Sequence, residues 1–507
     1  FEKKYFEDTS IYVKSLNFTS LPILEYINSC NNIINFELEL CEKYLFNITY
    51  EPFENLLIKK LLLDNNDYIS ENIIQSLKEN NLEVSKKIYN FYDKYCHDTL
   101  INNEKNIMCL SFSNFCKDYL DTKYKELNEE KIDFKVYSTF IIQIYKHLEN
   151  IIKEVFDNNC LIIKRFDNIF KDKINNKSLV LCDNISKYIN YLVKYCNKEN
   201  IELDEHEEFI VIMDLLKYVI DKDYLETYLT KHLSNRLLNK PNLDYENILI
   251  SKLKMLFSSE FVNKMNSMMS DINISKNLME EYTNSEFSTK SFNVAVITNF
   301  IWNMSKYKKV EYPESLQKSM NNFTEFYNNK FRGRKLEWNN NIIHGEIVCH
   351  CFNKKYIFNA SIYQIDILNK FNYYDTILFE DNIYMKSLLK LNILKKVNDN
   401  VEINKDYKSK KFKQNIMNFK AKNKENVRKE EKEKIHFDRN LIIQSAIVRI
   451  MKTRKTLEHN QLVSQTVSHI DKFSLKISDI KKNIELLIDK EYLERQENTK
   501  NVYNYLA

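Results

Sequence analysis

Up to about residue 206, apolar positions recur at helical spacing between short polar breaks. In Leu21–Leu45, Ile23, Leu24, Ile27, Ile34, Leu38 and Tyr44 fall near one face, with Pro22 at the start. Similar segments lie near 52–62, 82–96, 136–155 and 178–196, separated by Asp64–Asp67, Asn102–Asn106, Asn175–Lys177 and Asn197–Asn200. No strict period repeats. Both a helical solenoid of degenerate repeats and a plain helical bundle fit. The helices continue to about 330. Phe209, Ile212, Leu215, Leu216 and Val219 form one stripe, and Asp221 is a candidate cap for the next helix. Met265, Met268 and Met269 read as core packing.

The pattern changes at 331. Arg334–Trp338, Glu346–Phe352 and Lys355–Ala360 are short and rich in β-formers, which predicts three strands. Helices near 361–371 and 383–391 and strands at Ile393–Val397 and Val401–Asn404 follow, the order of a small winged helix. Lys408–Lys434 reads as a charged linker in which Lys and Arg outnumber Asp and Glu. From 437 the chain predicts three helices and two strands, Tyr492–Arg495 and Val502–Tyr505, around a turn at Glu497–Lys500. The third helix carries Ile477, Ile480, Ile484, Leu487 and Ile488 on one face. The fold class expected is mainly α, with a small α/β region and C-terminal winged-helix domains.

Composition sharpens this picture. The 507 residues contain 2 Gly and 4 Pro, where average usage would give about 35 and 25. With only Gly333 and Gly345, the chain has no P-loop, GxGxxG or GxSxG elbow. A net charge of +4 does not mark a nucleic-acid or membrane binder. Ten cysteines without CxxC suit reduced, buried thiols in the cytoplasm or nucleus. No apolar run approaches the roughly 18 residues of a membrane span. No signal-peptide pattern opens the chain, and Phe1 in place of a methionine is expected of a fragment.

Candidate chemistry is sparse. His344, Cys349, His350 and Cys351 attract a zinc reading. On a strand, however, His350 faces away from the two cysteines, and a fourth ligand would have to come from elsewhere. No metal or other cofactor is expected. His206-Glu207-Glu208 is not a zinc-protease motif, and no carboxylate pair stands out. The third helix of the last segment mixes Asp479, Glu485 and Asp489 with Lys481 and Lys482, a poor phosphate-tracking surface. The basic cluster lies on the first helix instead: Arg449, Lys452, Arg454 and Lys455.

The run from Ile443 through Arg449-Ile450-Met451-Lys452-Thr453-Arg454-Lys455 resembles the cullin C-terminal signature. So does the ending from Ile488-Asp489-Lys490-Glu491-Tyr492-Leu493 to Tyr503-Asn504-Tyr505-Leu506-Ala507. Upstream, Tyr218–Asp223 with Leu233 and Arg236-Leu237-Leu238 resembles the start of the cullin homology region. Phe323–Tyr327, Gly333–Trp338 and Gly345–Val348 resemble its middle. Phe1–Thr9, Leu24–Tyr26 and Glu42–Leu45 are weakly similar to the later part of the second cullin repeat. The resemblance implies a non-catalytic ubiquitin-ligase scaffold. Four segments follow from it: a partial repeat stalk (1–206), a helical bundle (207–330), an α/β region with winged helix and linker (331–436), and a winged-helix domain (437–507).

The implied partners are a RING-box protein, which carries the only zinc expected, a ubiquitin-conjugating enzyme and a NEDD-type modifier. The modifier's implied acceptor is Lys452, in the context of Arg449, Ile450, Met451, Arg454 and Lys455. The implied RING-partner residues are Lys335, Leu336, Trp338, Ile347, Val348, Cys349, Tyr356 and Phe358. The family's adaptor-binding first repeat is absent from this chain, so the substrate adaptor is left uncertain. The family's glycine and proline in V-L-T-x-G-x-W-P become Phe300 and Asn303 around Trp302, which puts the turn there in question. Two alternatives stay open: a winged-helix nucleic-acid binder, and an unmodified cullin-like subunit of the anaphase-promoting type.

Overall fold

A computed structural model describes residues 2–16, 18–102, 106–127, 132–239, 242–289, 291–302, 308–417, 424–496 and 499–506. Phe1, Asn303, Glu497 and the middle of the Asn102–Asn106 break lie outside the described residues. The chain divides into two compact units. The first comprises 1–232, 251–257 and 471–474; the second comprises 233–250, 258–470 and 475–507.

The first unit opens with α1 (Glu2–Ser15), α2 (Ile23–Tyr44), α3 (Asn47–Leu61), α4 (Asn66–Lys78) and α5 (Leu82–Asn102). It continues with α6 (Ile107–Glu126), α7 (Phe134–Phe156), α8 (Cys160–Ile174), α9 (Ser178–Glu199) and α10 (Glu207–Leu216). From α4 onward, helices pack on the next but one: α4 on α6 on α8, and α5 on α7 on α9. Two parallel rows of helices are the solenoid, not the plain bundle. Between the rows lie Phe112, Phe156 and Tyr89, with ring centroids 5.1 and 5.2 Å apart and edges on faces. Further along, Tyr145, Phe166, Phe170 and Tyr218 cluster, and the Tyr218 hydroxyl donates to Asp167 at 2.5 Å. Burial and that carboxylate push the Tyr218 phenol far up. In the same unit the Lys222 amide donates to the Lys472 carbonyl at 2.9 Å, and the Ser474 amide to the Asp221 carboxylate at 3.2 Å.

Helix ends explain how the chain manages with two glycines. Left-handed backbone is taken by Asn80, Asp157, Asn158, Asn200 and Asn392 after helices, and by Asn398 in a turn between two strands. Their short polar side chains make this conformation less costly than it is for other L-residues.

The second unit holds the end of α11 (Lys222–Asn239), the start of α12 (Leu243–Leu256), then α13 (Ser259–Thr283), α14 (Asn299–Trp302) and α15 (Glu314–Lys330). Arg236 and Glu246 form a buried two-pronged ion pair of 2.6 and 2.7 Å. Met265, Met268 and Met269 are core residues. Then come β1 (His344–Cys349), β2 (Tyr356–Ser361), α16 (Ile362–Lys370), β3 (Thr376–Leu378), α17 (Ile383–Lys390), β4 (Leu394–Val397), β5 (Asn400–Ile403) and β6 (Lys413–Asn415). The final module is α18 (Lys424–Arg454), β7 (Thr456–Glu458), α19 (His459–His469), α20 (Ile477–Asp489), β8 (Leu493–Gln496) and β9 (Thr499–Tyr505).

The three sheets are ordered β1-β2-β6, β3-β5-β4 and β7-β9-β8. These orders correct the sequence reading. Residues 334–338 form no strand; the third strand of the first sheet is Lys413–Asn415, parallel to β2. It comes from the stretch read as linker, and Ile416 beside it is buried at 3 % exposure. Each small wing gains a third strand, β3 or β7. Ile477, placed on the apolar face of α20, is 58 % exposed. Phe300 lies in the one-turn α14 without a left-handed backbone and is 92 % exposed, so the position needs no glycine here.

Candidate functional site: an edge-strand cleft and an exposed helix-end lysine

Ser361 and Gln364 build a capping box that joins β2 directly to α16. This fixes the sheet against the helix. Gln364, 2 % exposed, also donates to Ser387 (2.9 Å) and to the Ile416 carbonyl (3.0 Å), which ties α17 and the β6 segment to the same core. On β2 the buried residues alternate: Tyr356, Phe358 and Ala360 face α16. Their antiparallel partners are Cys349, Ile347 and Gly345, which are half-buried on that face.

Hydrogen-bond direction follows from the same alternation. The Ile357 amide donates to Phe412 and the Asn359 carbonyl accepts from Ile416, both toward β6. The backbone groups of 356, 358 and 360 therefore bond β1, through Cys349, Ile347 and Gly345. Those of His344, Glu346 and Val348 point away from β2, and β1 is the edge of its sheet.

Facing this edge is an open cleft of about 2660 Å³. It is walled by α13 from Asp271 to Thr283, by residues 291–299, by residues 334–339 and by β1. Two side chains of α13 hold the 291–299 wall. Ser275, 4 % exposed, accepts from the Val296 amide (2.8 Å) and donates to the Val294 carbonyl. Asp271 accepts from the Thr298 amide (2.9 Å), the Thr298 hydroxyl (3.1 Å) and the Trp302 indole (2.8 Å). With Val294 and Val296 turned to α13, the backbone groups of Asn293, Ala295 and Ile297 face the other way. No backbone hydrogen bond to them occurs among the described residues. On the remaining wall, Leu336 and Trp338 pack on Leu278, Tyr282, Phe323 and Tyr327. Lys335 is exposed and pairs with Glu337 at 2.6 Å.

The residues singled out in sequence thus divide. Ile347, Val348 and Cys349 line the cleft, as do Lys335, Leu336 and Trp338. Tyr356 and Phe358, 3 % and 0 % exposed, lie under the sheet and act on the cleft only by seating β1. Asp271 and Ser275 were missed. Each acts on a segment some twenty to thirty residues downstream, and no local spacing marks such a pair.

The second candidate lies at the end of α18. Ile443, Ile447, Ile450 and Met451 are buried, a helical stripe of i, i+4, i+7 and i+8. Arg449, Lys452 and Arg454 are exposed, and Lys452 has no side-chain hydrogen bond or ion pair among the described residues. Asn483, 1 % exposed on α20, is clamped to α18 by Gln444 (2.8 Å) and Asn440 (2.9 Å). Lys455 does not share the helical face of Lys452: it adopts left-handed backbone (φ 66°) and ends the helix. Its amide donates to Met451 at 2.8 Å, its carbonyl accepts from Tyr505 at 2.9 Å, and its ammonium lies 5.2 Å from the Tyr505 ring centre. The turn carrying Lys452 is therefore anchored on both sides.

A family model described as the cullin alpha solenoid domain matches residues 1–279. The chain belongs to the cullin family. A model of the cullin alpha+beta domain matches 296–415, and one of the cullin protein neddylation domain matches 438–499. Cullin-1 of Schizosaccharomyces pombe is 27 % identical over all of this chain and 71 % of its own length. Cullin-4A of Mus musculus is 27 % identical over all of this chain and 70 % of its own. A solved structure named "A Dual E3 Mechanism for Rub1 Ligation to Cdc53: Dcn1(P)-Cdc53(WHB)" aligns with 17 % of this chain and 100 % of that one. Its identity is 32 % and its TM-score 0.15. As a cullin with a neddylation domain, the protein is a scaffold of ubiquitin ligases.

Proposed function

We propose that this cullin holds a RING-box protein by strand addition in the cleft. Bound there, the RING-box protein brings a ubiquitin-conjugating enzyme, and Lys452 receives a NEDD-type modifier. The observation that carries the first part is the outer edge of β1, faced across the cleft by the row of Asn293, Ala295 and Ile297, both without backbone partners among the described residues. An incoming extended segment satisfies such rows through its own backbone, and alternate side chains supply specificity. Zinc then enters with the RING partner. The scaffold's contribution is effective concentration and orientation.

For the modifier, the Lys452 amine attacks the activated C-terminal carbonyl and releases the carrier thiol, leaving an isopeptide bond. Exposure of Lys452 directly after the buried anchors Ile450 and Met451 supports this role. A basic surface adds a docking element for an acidic tail of the conjugating enzyme. Lys354 and Lys355 precede β2, and the Tyr356 hydroxyl and Ile357 amide bond Ser409 and Phe412, which brings Lys408, Lys410 and Lys411 alongside.

Co-expression of the full chain with a RING-box protein tests the reading: a stable complex is expected. A folded chain that never co-purifies with the partner overturns it.

A further inference from the structure

Seven of the ten cysteines are buried; Cys160, Cys349 and Cys351 are not. Two of these three lie together. β1 ends at Cys349, His350 leaves the strand, and the chain bends over Cys351–Lys354. Phe352, 8 % exposed, anchors the bend against Tyr356 and Tyr407, at ring distances of 5.8 and 5.2 Å. Cys349 and Cys351 are two residues apart at the end of β1, and both line the cleft. Resting on the strand-addition reading of the cleft, we propose that Cys349 and Cys351 form a peroxide-oxidisable dithiol whose disulfide disables the docking edge of β1.

Geometry permits the bond. Even in extended backbone, residues i and i+2 lie only about 6.6 Å apart, within the range of roughly 4.4–6.8 Å that a disulfide spans between Cα atoms. A bend at the second residue shortens that span. The roles follow from the environment. The neighbouring Cys349 thiol favours a Cys351 thiolate and lowers its pKa to about 7, while burial and the same pairing hold Cys349 protonated. The exposed Cys351 thiolate attacks one oxygen of hydrogen peroxide and displaces hydroxide, giving a sulfenic acid. The Cys349 thiol then attacks that sulfur, and water leaves with the Cys349 proton. The peroxide is reduced by two electrons and the thiol pair is oxidised by two.

Closing the bond draws the two Cβ atoms to about 3.8 Å. This pulls Cys349 away from Tyr356, its ladder partner at the end of β1. Val348, whose outward groups belong to the docking edge, is the adjoining residue. Two thiols fall short of the four ligands of a structural zinc site.

The test uses the full chain, its Cys349→Ser and Cys351→Ser variants, and Cys160→Ser as the control for an isolated exposed thiol. Each is treated with hydrogen peroxide and mapped without reduction, and affinity for the RING-box protein is measured before and after. The peptide holding both cysteines should lose two hydrogens in the wild type and in Cys160→Ser, but in neither of the other variants. Affinity should fall about tenfold and return with dithiothreitol, and the Cys351→Ser affinity should ignore peroxide. Sulfinic or sulfonic acid at Cys351 without a disulfide overturns the proposal. So does a disulfide that leaves affinity unchanged. If the reduced wild type does not bind the RING-box protein, the cleft reading fails, and with it the regulatory part; the peptide map still decides the dithiol chemistry.

Discussion

β1 and the last turn of α18 lie in one unit but offer solvent opposite kinds of group. Along β1, Ile347 and Cys349 turn into the core while the backbone of His344, Glu346 and Val348 is left outward. At the end of α18 the backbone is closed by Met451, Lys455 and Tyr505, and what stands out are side chains, Lys452 among them. The difference teaches where each site is vulnerable. A backbone site tolerates side-chain exchange and fails on loss of an N–H, whereas a side-chain site does the reverse.

The strongest test of the side-chain half is Lys452→Arg, which keeps charge and helix propensity but removes the nucleophile. With the RING partner bound and the modifier's activating and conjugating enzymes supplied, the adduct should vanish on an intact mass spectrum. Equal adduct on both proteins would move the acceptor elsewhere. Under the sheet, Phe358→Ala should cost about 3–5 kcal/mol of stability, read by denaturant unfolding, because it empties a fully buried site beneath β1 and β2.

Proline substitutions sharpen the backbone half. Val348→Pro deletes an outward N–H and no internal ladder bond, so the melting temperature should hold. RING-box affinity should fall by about 1–3 kcal/mol, the cost of an unpaired buried partner group. Ile347→Pro deletes a bond to Phe358 and should destabilise the fold as well. Equal behaviour of the two prolines would refute the assigned edge direction. Val348→Thr, a side-chain change on the same residue, should leave affinity nearly unaltered.

The smallest effect is expected at the basic surface. Neutralising Lys408, Lys410 and Lys411 should slow association of the conjugating enzyme at low salt and flatten its salt dependence. The difference should fade at physiological ionic strength, where screening acts over about 8 Å. Unchanged on-rates at low salt would remove the acidic-tail element.

Much of this was legible in the residues. The helices of the first unit, the wing of the last module and the exposed position of Lys452 follow from local period, since a buried stripe such as Ile443, Ile447, Ile450 and Met451 leaves its neighbours outward whatever packs on it. Short polar breaks and asparagine at helix ends carried the chain where glycine was missing. Non-local pairing was not legible. β3, β6 and β7 have three residues each, too few to show a period, and each exists only because a distant strand is there to receive it. The same limit hid the solenoid rows, the edge position of β1 and the hold of Asp271 on Trp302. Which face of a helix or strand is apolar is written in consecutive residues. Which partner covers that face, and which backbone row is left uncovered, is settled only when segments far apart in the chain meet.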